Sequence, residues 1–216
     1  MKLLLKEYKL CMHPTGYIML LGAALVLVPG YPYGVCCFYM GLAIFFICLT
    51  ARENHDAAYT LTLPVSRKDA VSARILFCTI LEVLDLLMMG IFVLIKKAIG
   101  TMANPAGLDA GIAILGNGLI IFALFNIIFF PLYYRDIQKP GKAFLFASSA
   151  VFAWIILEII ATYTVPFFRD VLDQPDPEHL SAKLLFTLAA LVLFAVCTIL
   201  SIRISTKHFE QLDLSL

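Results

Sequence analysis

Three acidic residues lie inside long apolar runs of the sequence, where charged side chains are rare. Glu82 and Asp85 interrupt the run at 74–95, and Glu158 interrupts the run at 143–165. Residues three apart on a helix share a face, so Glu82 and Asp85 are predicted to be neighbouring carboxyl groups. Because ionised groups inside a bilayer are costly, they should face protein or water. We expect these acids to line a translocation path that attracts cationic or amphipathic substrates, or to gate that path. The alternative is that one or both are protonated, or bonded to a neighbouring span, and only hold the bundle together. For Glu158 a further alternative is that its side chain reaches the outer membrane–water interface.

A second group of polar residues, RENHDAAYTLTLPVSRKDAVSAR at 52–74, separates two of the apolar runs. Such a segment offers a surface that a soluble partner can bind. Its first part, 53–62, suits a short helix that presents three side chains to the cytosol: Glu53, Asp56 and Tyr59. The alternative is an ordinary hydrophilic loop whose basic residues only determine the topology.

The second part of this segment predicts the start of a long helix. Pro64 ends the preceding structure, Ser66 is a preferred helix N-cap, and Asp69 places negative charge in the first helical turn. We therefore expect a helix that begins after Ser66 and continues into the apolar run at 74–95.

Metal and catalytic patterns are missing from the sequence. The four histidines are scattered among loops and chain ends, and the six cysteines have spacings that match no zinc or redox motif. We therefore predict no metal site, and an intramembrane enzyme is disfavoured because Glu82 and Asp85 have no histidine or basic partner at similar depth. The phosphate-loop pattern of ATP-binding chains is also missing, so we predict that this chain binds no cofactor.

The elements that carry these residues are predicted to be membrane-spanning helices. Of the 216 residues, 62% are hydrophobic and only 14% are charged, too few to cover a soluble domain. A spanning helix needs about 20 mostly apolar residues. Six runs fit: 15–31, 33–51, 74–95, 111–134, 143–165 and 183–203. The predicted fold is an all-α polytopic membrane protein with one transmembrane domain over 1–216.

Two further features refine this fold. Residues 1–13 alternate leucines with lysines, which predicts a short amphipathic helix lying on the membrane surface, with a frayed basic tail as the alternative. Asn117 and Asn126 lie on opposite faces of one predicted helix, and we expect each to form an interhelical hydrogen bond.

The distribution of basic residues predicts the orientation of the chain in the bilayer. Twelve of the 16 Lys and Arg residues fall on one side of the six predicted spans. Positively charged segments face the cytoplasm, so both termini and the segments 52–73 and 135–142 are expected there. The predicted location is a bacterial cytoplasmic membrane. The net charge of +1 gives no indication of a nucleic-acid partner, and none is expected.

The first polar segment and the six-span layout resemble a known family, the small permease subunits of bacterial ATP-binding-cassette exporters that have a separate ATPase chain. The residues that carry this resemblance are Glu53, Tyr59, Leu63-Pro64-Val65-Ser66-Arg67-Lys68, Val71 and Arg74. A weaker match follows the fourth predicted span, at Pro131, Tyr133, Tyr134, Arg135, Gly141 and Lys142.

This resemblance implies a mechanism in which the first loop, about 52–73, carries a helix that binds a groove of the ATPase. ATP and Mg²⁺ would be bound by that partner chain, and a second, identical or related permease chain would complete the pathway. Amphipathic peptides, toxins or lipids are the implied substrates. The residues implied to couple the chain to the ATPase are Glu53, Asp56, Tyr59, Leu63, Pro64, Arg67 and Lys68.

A different class of protein has the same size and span count, namely the six-span membrane substrate-binding protein of vitamin-importer systems. Such a protein would need a polar ligand pocket on the outer side. The predicted outer loops offer little for such a pocket except the acidic stretch 170–178.

Overall fold

The computed structural model describes residues 2–100 and 104–212, and all of the regular structure in these two ranges is helical. Met1 of the predicted interfacial helix and the C-terminal residues 213–216 lie outside the described part. The elements follow in the order α1 (Lys2–Cys11), α2 (Pro14–Leu20), a 3-10 helix (Leu21–Leu27), α3 (Gly34–Glu53), α4 (Asp56–Thr62), α5 (Arg67–Ile99), α6 (Ile112–Arg135), α7 (Pro140–Thr164), a π-helical turn (Phe168–Leu172) and α8 (Leu180–Gln211).

Five of these helices are long and apolar enough to cross a membrane: α3, α5, α6, α7 and α8. A pair of helical segments, Leu3–Cys11 and Pro14–Leu27, adds a sixth span if the pair counts as one, and it is bent by 95°. The all-α, multi-span prediction is thereby confirmed. The bend sets α1 at a steep angle to the segment that follows it, and the position of α1 on the membrane surface stays a prediction.

The first predicted span, 15–31, differs from the expectation of a regular α-helix. It consists of α2 followed by a 3-10 helix that ends at Leu27. At the usual rises of these two helix types, Pro14–Leu27 is only about 25 Å long. This is shorter than the hydrocarbon thickness of about 30 Å.

Helix α6 lies at the centre of the bundle, where it packs along α8 and also contacts α7, α3 and α5. Two glycines allow this close packing. A Cβ atom at Gly118 would lie 2.5 Å from Leu86 of α5, and one at Gly116 would lie 2.8 Å from Phe186 of α8. Small residues at helix contacts are typical of membrane bundles, because they allow the backbones to approach.

The start of α5 confirms the predicted cap. The Ser66 hydroxyl accepts a hydrogen bond from the Asp69 amide at 3.0 Å and donates one to the Asp69 carboxylate at 2.6 Å. The 33 residues of α5 are about 50 Å long at 1.5 Å per residue, well beyond one bilayer core. One continuous helix therefore links the first polar segment to the middle of the bundle.

Large apolar side chains are exposed along α5, α7 and α8, on the outside of the bundle. Such exposure is typical of a lipid-facing or partner-facing surface, because water-soluble monomers rarely expose large apolar patches. Examples are Leu87, Leu94, Ile156, Leu185, Leu188 and Val192.

Candidate functional site

Helix α4 lies at the end of the bundle where α3 ends and α5 begins, and it exposes much of its surface. The Tyr59 side chain is prominent, with the residue 52% exposed. Other residues of the same segment that the sequence singled out are exposed or partly exposed: Glu53, Leu63, Pro64 and Lys68. We call these exposed and partly exposed residues, together with Tyr59, the α4 surface. They combine an aromatic ring, a proline and charges of both signs.

Asp56 does not belong to the α4 surface, and the expectation that it faces the cytosol was wrong. The residue is only 8% exposed. Its carboxylate accepts hydrogen bonds from Arg74 at 2.6 Å and from Lys6 at 3.1 Å. Because these cations lie on α5 and α1, the side chain of Asp56 is directed toward the bundle instead of away from it.

Asp56 is part of a buried ion cluster formed by two acids and two bases: Lys6, Glu7, Asp56 and Arg74. The Arg74 Nε atom pairs with Glu7, and Lys6 lies 3.0 Å from the same carboxylate. Lys6 also donates to the Thr60 hydroxyl at 2.6 Å. Each buried charge therefore has an opposite partner, the condition under which burial of charge is tolerated. The cluster connects α1, α4 and α5.

Three potential metal ligands meet in this cluster, since donor atoms of Glu7, Cys11 and Asp56 all lie within 4.8 Å of one another. Arg74 occupies the space they face, with its Nη2 atom 3.2 Å from the Cys11 sulfur. The two carboxylates are already neutralised by Arg74 and Lys6. The arrangement is therefore an ion-pair cluster and does not provide a vacant set of ligands for a cation.

Arg67 forms a second connection at this end of the molecule. Its Nη1 atom donates to the backbone carbonyls of Phe209 at 2.8 Å and Leu212 at 3.0 Å, at the end of α8. The guanidinium also lies 5.7 Å from the centre of the Phe209 ring. A cation is favourable at a helix C-terminus, where carbonyl groups have no helical partner. Arg67 therefore joins the start of α5 to the end of α8.

The two acids of the third predicted span are fully buried within this single chain. Glu82 and Asp85 both have 0% exposure. The Asn126 amide of α6 donates to Glu82 Oε2 at 2.9 Å. Within the described residues, neither oxygen of Asp85 has a hydrogen-bond partner. In this conformation the contact between Glu82 and Asn126 holds α5 against α6.

Both asparagines of α6 form the predicted interhelical hydrogen bonds. Asn117 accepts a hydrogen bond from the Trp154 indole of α7 at 2.8 Å, whereas Asn126 donates to Glu82 on the opposite side. The backbone carbonyl of Asn126 in addition accepts a hydrogen bond from the Ser201 hydroxyl of α8 at 2.8 Å. The two asparagines therefore lie on opposite faces of α6, as their spacing predicted, and each binds a different neighbouring helix.

Glu158 holds a loop at the other end of the bundle and is only 4% exposed. Its Oε1 atom accepts a hydrogen bond from the Leu108 amide at 3.0 Å. The neighbouring Gly107 has φ +128°, a conformation that favours glycine, and a Cβ there would lie 3.0 Å from the same oxygen. The position of Glu158 therefore agrees with a structural role at this end of the bundle.

The acidic stretch 170–178 is also engaged in internal contacts, which the sequence did not indicate. Asp176 pairs with Lys97 and with Lys183, each at 3.0 Å, and accepts a hydrogen bond from the Ile112 amide at 3.1 Å. Although burial opposes ionisation of Asp176, the hydrogen bonds from Lys97, Lys183 and Ile112 hold its pKa below the ordinary value. This residue therefore joins α5, α6 and α8.

Asp173 contacts the same loops, but its pKa is raised, whereas that of Asp176 is lowered. Its carboxylate accepts a hydrogen bond from the Asp109 amide at 2.7 Å. Burial raises the pKa of Asp173 to about 6, and the nearby Asp109 carboxylate adds to this effect, against the opposing influence of that hydrogen bond and of Lys183. The stretch thus stabilises the loops between the helices.

Comparison with known proteins identifies the family. The family model described as ABC-2 family transporter protein matches residues 2–210, which is almost the whole chain. Searches of curated proteins and of solved structures gave no match. The match includes α1, the α4 surface, the ion cluster and all of the long helices. The chain therefore belongs to the ABC-2 family of transporter proteins, as a multi-pass membrane permease.

Proposed function

We propose that this chain is the permease subunit of an ATP-driven exporter and that its α4 surface binds a separate ATPase chain. The observation that carries this proposal is the contrast between the two sides of α4. Tyr59 is 52% exposed, whereas Asp56 is 8% exposed and paired with Arg74. A short helix that is open to a partner on one side and ion-paired to a spanning helix on the other can transmit force.

The ion cluster supplies the transmission. A displacement of α4 by the partner would act on Arg74 through Asp56, and on α1 through Lys6 and Glu7. Because Arg74 lies in the second turn of a continuous 33-residue helix, its movement would be carried toward the buried residues of α5. In this proposal ATP and Mg²⁺ are held by the partner. The helices α4 and α1 then move together with the N-terminal part of α5.

A second permease chain, identical or related, would complete the pathway. The exposed apolar faces of α5, α7 and α8 provide surface for such a contact as well as for lipid. Glu82 and Asp85 are enclosed within one chain in this conformation, so they would reach a pathway only if α5 moved away from α6. Amphipathic peptides, toxins or lipids remain the proposed substrates, with export from the cytoplasm across a bacterial cytoplasmic membrane.

The orientation that this proposal needs places α4 and both termini in the cytoplasm. The basic-residue distribution supports it, since Arg52, Lys68 and Arg135 lie at the α4 end. The substrate-binding alternative has one supporting observation, a recess of about 250 Å³ at the opposite end, lined by Lys97, Asp109 and other polar groups. Its principal carboxylate, Asp176, is already occupied by two lysines, which favours the permease.

The test is co-purification of the full chain from native membranes in mild detergent, followed by mass spectrometry of the accompanying proteins. The proposal expects a soluble chain with a phosphate-loop motif, and expects that chain to be lost when Tyr59 and Lys68 are both replaced by alanine. The matched control replaces exposed Phe167 and Arg169 at the opposite end by alanine and should retain the partner. Isolation of the unaltered chain without any ATP-binding partner would argue for a solitary binding protein.

A further inference from the structure

The contact between Glu82 and Asn126 has an unusual hydrogen-bond pattern. Both residues are 0% exposed. Asn126 Nδ2 donates to Glu82 Oε2 at 2.9 Å, but the other oxygen of each group, Glu82 Oε1 and Asn126 Oδ1, has no partner among the described residues. Buried polar atoms are nearly always hydrogen-bonded, so two such atoms on one interacting pair require an explanation.

The chemistry of the two groups provides that explanation. An ionised carboxylate only accepts hydrogen bonds, as does the amide oxygen, so the pair can form a single bond between them. A protonated carboxyl group has one O–H donor in addition. An acid and an amide can therefore form two hydrogen bonds side by side, one in each direction. A proton on Glu82 Oε1, with this atom turned toward Asn126 Oδ1, would satisfy both of the unpartnered oxygens.

The surroundings of Glu82 supply no positive charge that would stabilise the ionised form. Within residues 2–100 and 104–212, no Lys, Arg or His nitrogen forms an ion pair with Glu82 or Asp85. Glu82 interacts electrostatically with three titratable groups, namely Asp85 and Cys78 on α5 and Cys37 on α3.

Within the described part of the chain, the groups named on the neighbouring elements are neutral or acidic. On α6 the facing group is Asn126 itself, whose backbone carbonyl accepts a hydrogen bond from Ser201 of α8. The nearest guanidinium along α5, that of Arg74, is already engaged by Glu7 and Asp56. A buried negative charge without a partner is strongly unfavourable in a membrane-spanning segment.

We propose that Glu82 and Asn126 form a proton-binding site in the interior of the helix bundle, with the proton on Glu82 Oε1 donated to Asn126 Oδ1. The bound species is a proton taken from water, and no other ligand is needed. The pair is then electrically neutral and joins α5 to α6 by two hydrogen bonds. In this conformation Glu82 does not attract cationic substrates, and a negative charge would develop there only when the helices separate.

The experiment is infrared spectroscopy of the full-length chain in lipid nanodiscs at pH 7.5, with ¹³C-labelled glutamate to separate glutamate bands from aspartate bands. We expect a glutamic-acid C=O band in the unaltered chain, its loss in E82Q, and its shift in N126L, because the hydrogen bond to the amide is lost there. The matched control is D85N, which should leave this glutamate band in place.

A second measurement separates a bound proton from a purely steric role. In E82Q the glutamine amide can donate to Asn126 Oδ1 and accept from Nδ2, so its thermal midpoint should stay within a few degrees of that of the unaltered chain. In E82L both bonds are lost, and the midpoint should fall clearly below that of E82Q. The proposal is overturned if the labelled, unaltered chain shows no glutamic-acid band at pH 7.5, or if E82Q loses a carboxylate band instead. Neither result depends on an ATPase partner or on transport.

Discussion

Arg74 binds Asp56 across a distance of 2.6 Å, and this ion pair attaches the exposed helix α4 to the membrane-spanning helix α5. Both side chains are at least nine-tenths buried. The two residues are 18 positions apart, on either side of a turn that contains Pro64. A contact of this kind makes α4 part of the bundle, whereas an ordinary hydrophilic loop would be free to move.

Replacement of Asp56 by asparagine should therefore weaken the attachment of α4 and α1. Removing one partner of a buried ion pair leaves a buried charge undercompensated, and we expect a loss of about 2–3 kcal/mol in stability, since Glu7 still neutralises part of Arg74. The measurement is thermal or denaturant unfolding of the purified chain in detergent. The matched control is Glu53→Gln, on the exposed side, which should change stability by no more than about 0.5 kcal/mol. Equal stability of the two variants would contradict the ion-cluster account.

Replacement of Tyr59 by alanine should lower the affinity for the ATPase partner without unfolding the chain. Exposed aromatic residues are frequent centres of protein interfaces, and we expect at least about a tenfold higher Kd. The measurement is binding of the purified partner to the permease in nanodiscs, with the thermal midpoint as a check on folding. Phe167→Ala, an exposed aromatic at the opposite end, should bind like the unaltered chain. Loss of binding in both variants would indicate a general defect.

Replacement of Gly107 by alanine should destabilise the loop that Glu158 holds. The residue has φ +128°, and a Cβ there would lie 3.0 Å from Glu158 Oε1. The combined strain predicts a loss of about 2 kcal/mol, measurable by unfolding. Gly141→Ala is the control, because nothing lies within 4 Å of its Cβ position and the glycine is in a helix. That variant should be neutral or up to about 1 kcal/mol more stable.

The raised pKa of Asp173 should make the stability of the folded chain depend on pH. Burial raises its pKa to about 6 in the folded chain, from an ordinary value of about 3.9 in the unfolded chain. The folded state therefore binds more protons between these values, and the contribution of Asp173 is present at low pH and is lost as the pH rises through about 6. Thermal midpoints measured from pH 4 to pH 7 should show this decrease.

Asp173→Asn should flatten that part of the profile, because the amide oxygen can still accept from the Asp109 backbone but has no proton to lose. Asp170→Asn is the control, since the hydrogen bonds from Arg169 lower the pKa of Asp170 and its titration lies below the tested range. If the profiles of the unaltered chain and Asp173→Asn coincide, Asp173 does not carry this pH dependence.

Local signals in the sequence were sufficient for much of the fold. Ser66 and Asp69 form the predicted cap because both partners lie within one helical turn. Asn117 and Asn126 bind different helices because their nine-residue spacing alone places them on opposite faces. Long apolar runs likewise predicted the five long helices, because each run is long enough to span the hydrocarbon core.

The contacts that the sequence did not indicate have partners far away along the chain. Asp56 is buried because Lys6, 50 positions earlier, comes to lie against α4. Arg67 caps α8 through carbonyl groups 142 to 145 positions later. Neither contact has a local signature, since an exposed charge and a paired charge have the same sequence pattern. The 3-10 continuation of α2 was missed for another reason, because apolar content does not distinguish the two helix types.

The most direct test of the central claim, that the α4 surface binds a separate ATPase, is site-specific photo-crosslinking in native membranes. A photoreactive phenylalanine analogue placed at position 59 should form a crosslink to a chain with a phosphate-loop motif, identified by mass spectrometry. The same analogue at exposed position 167 should form none with that chain. If position 59 gives crosslinks only to lipid or to this chain itself, while the protein is folded and present in the membrane, the α4 surface is not the ATPase contact.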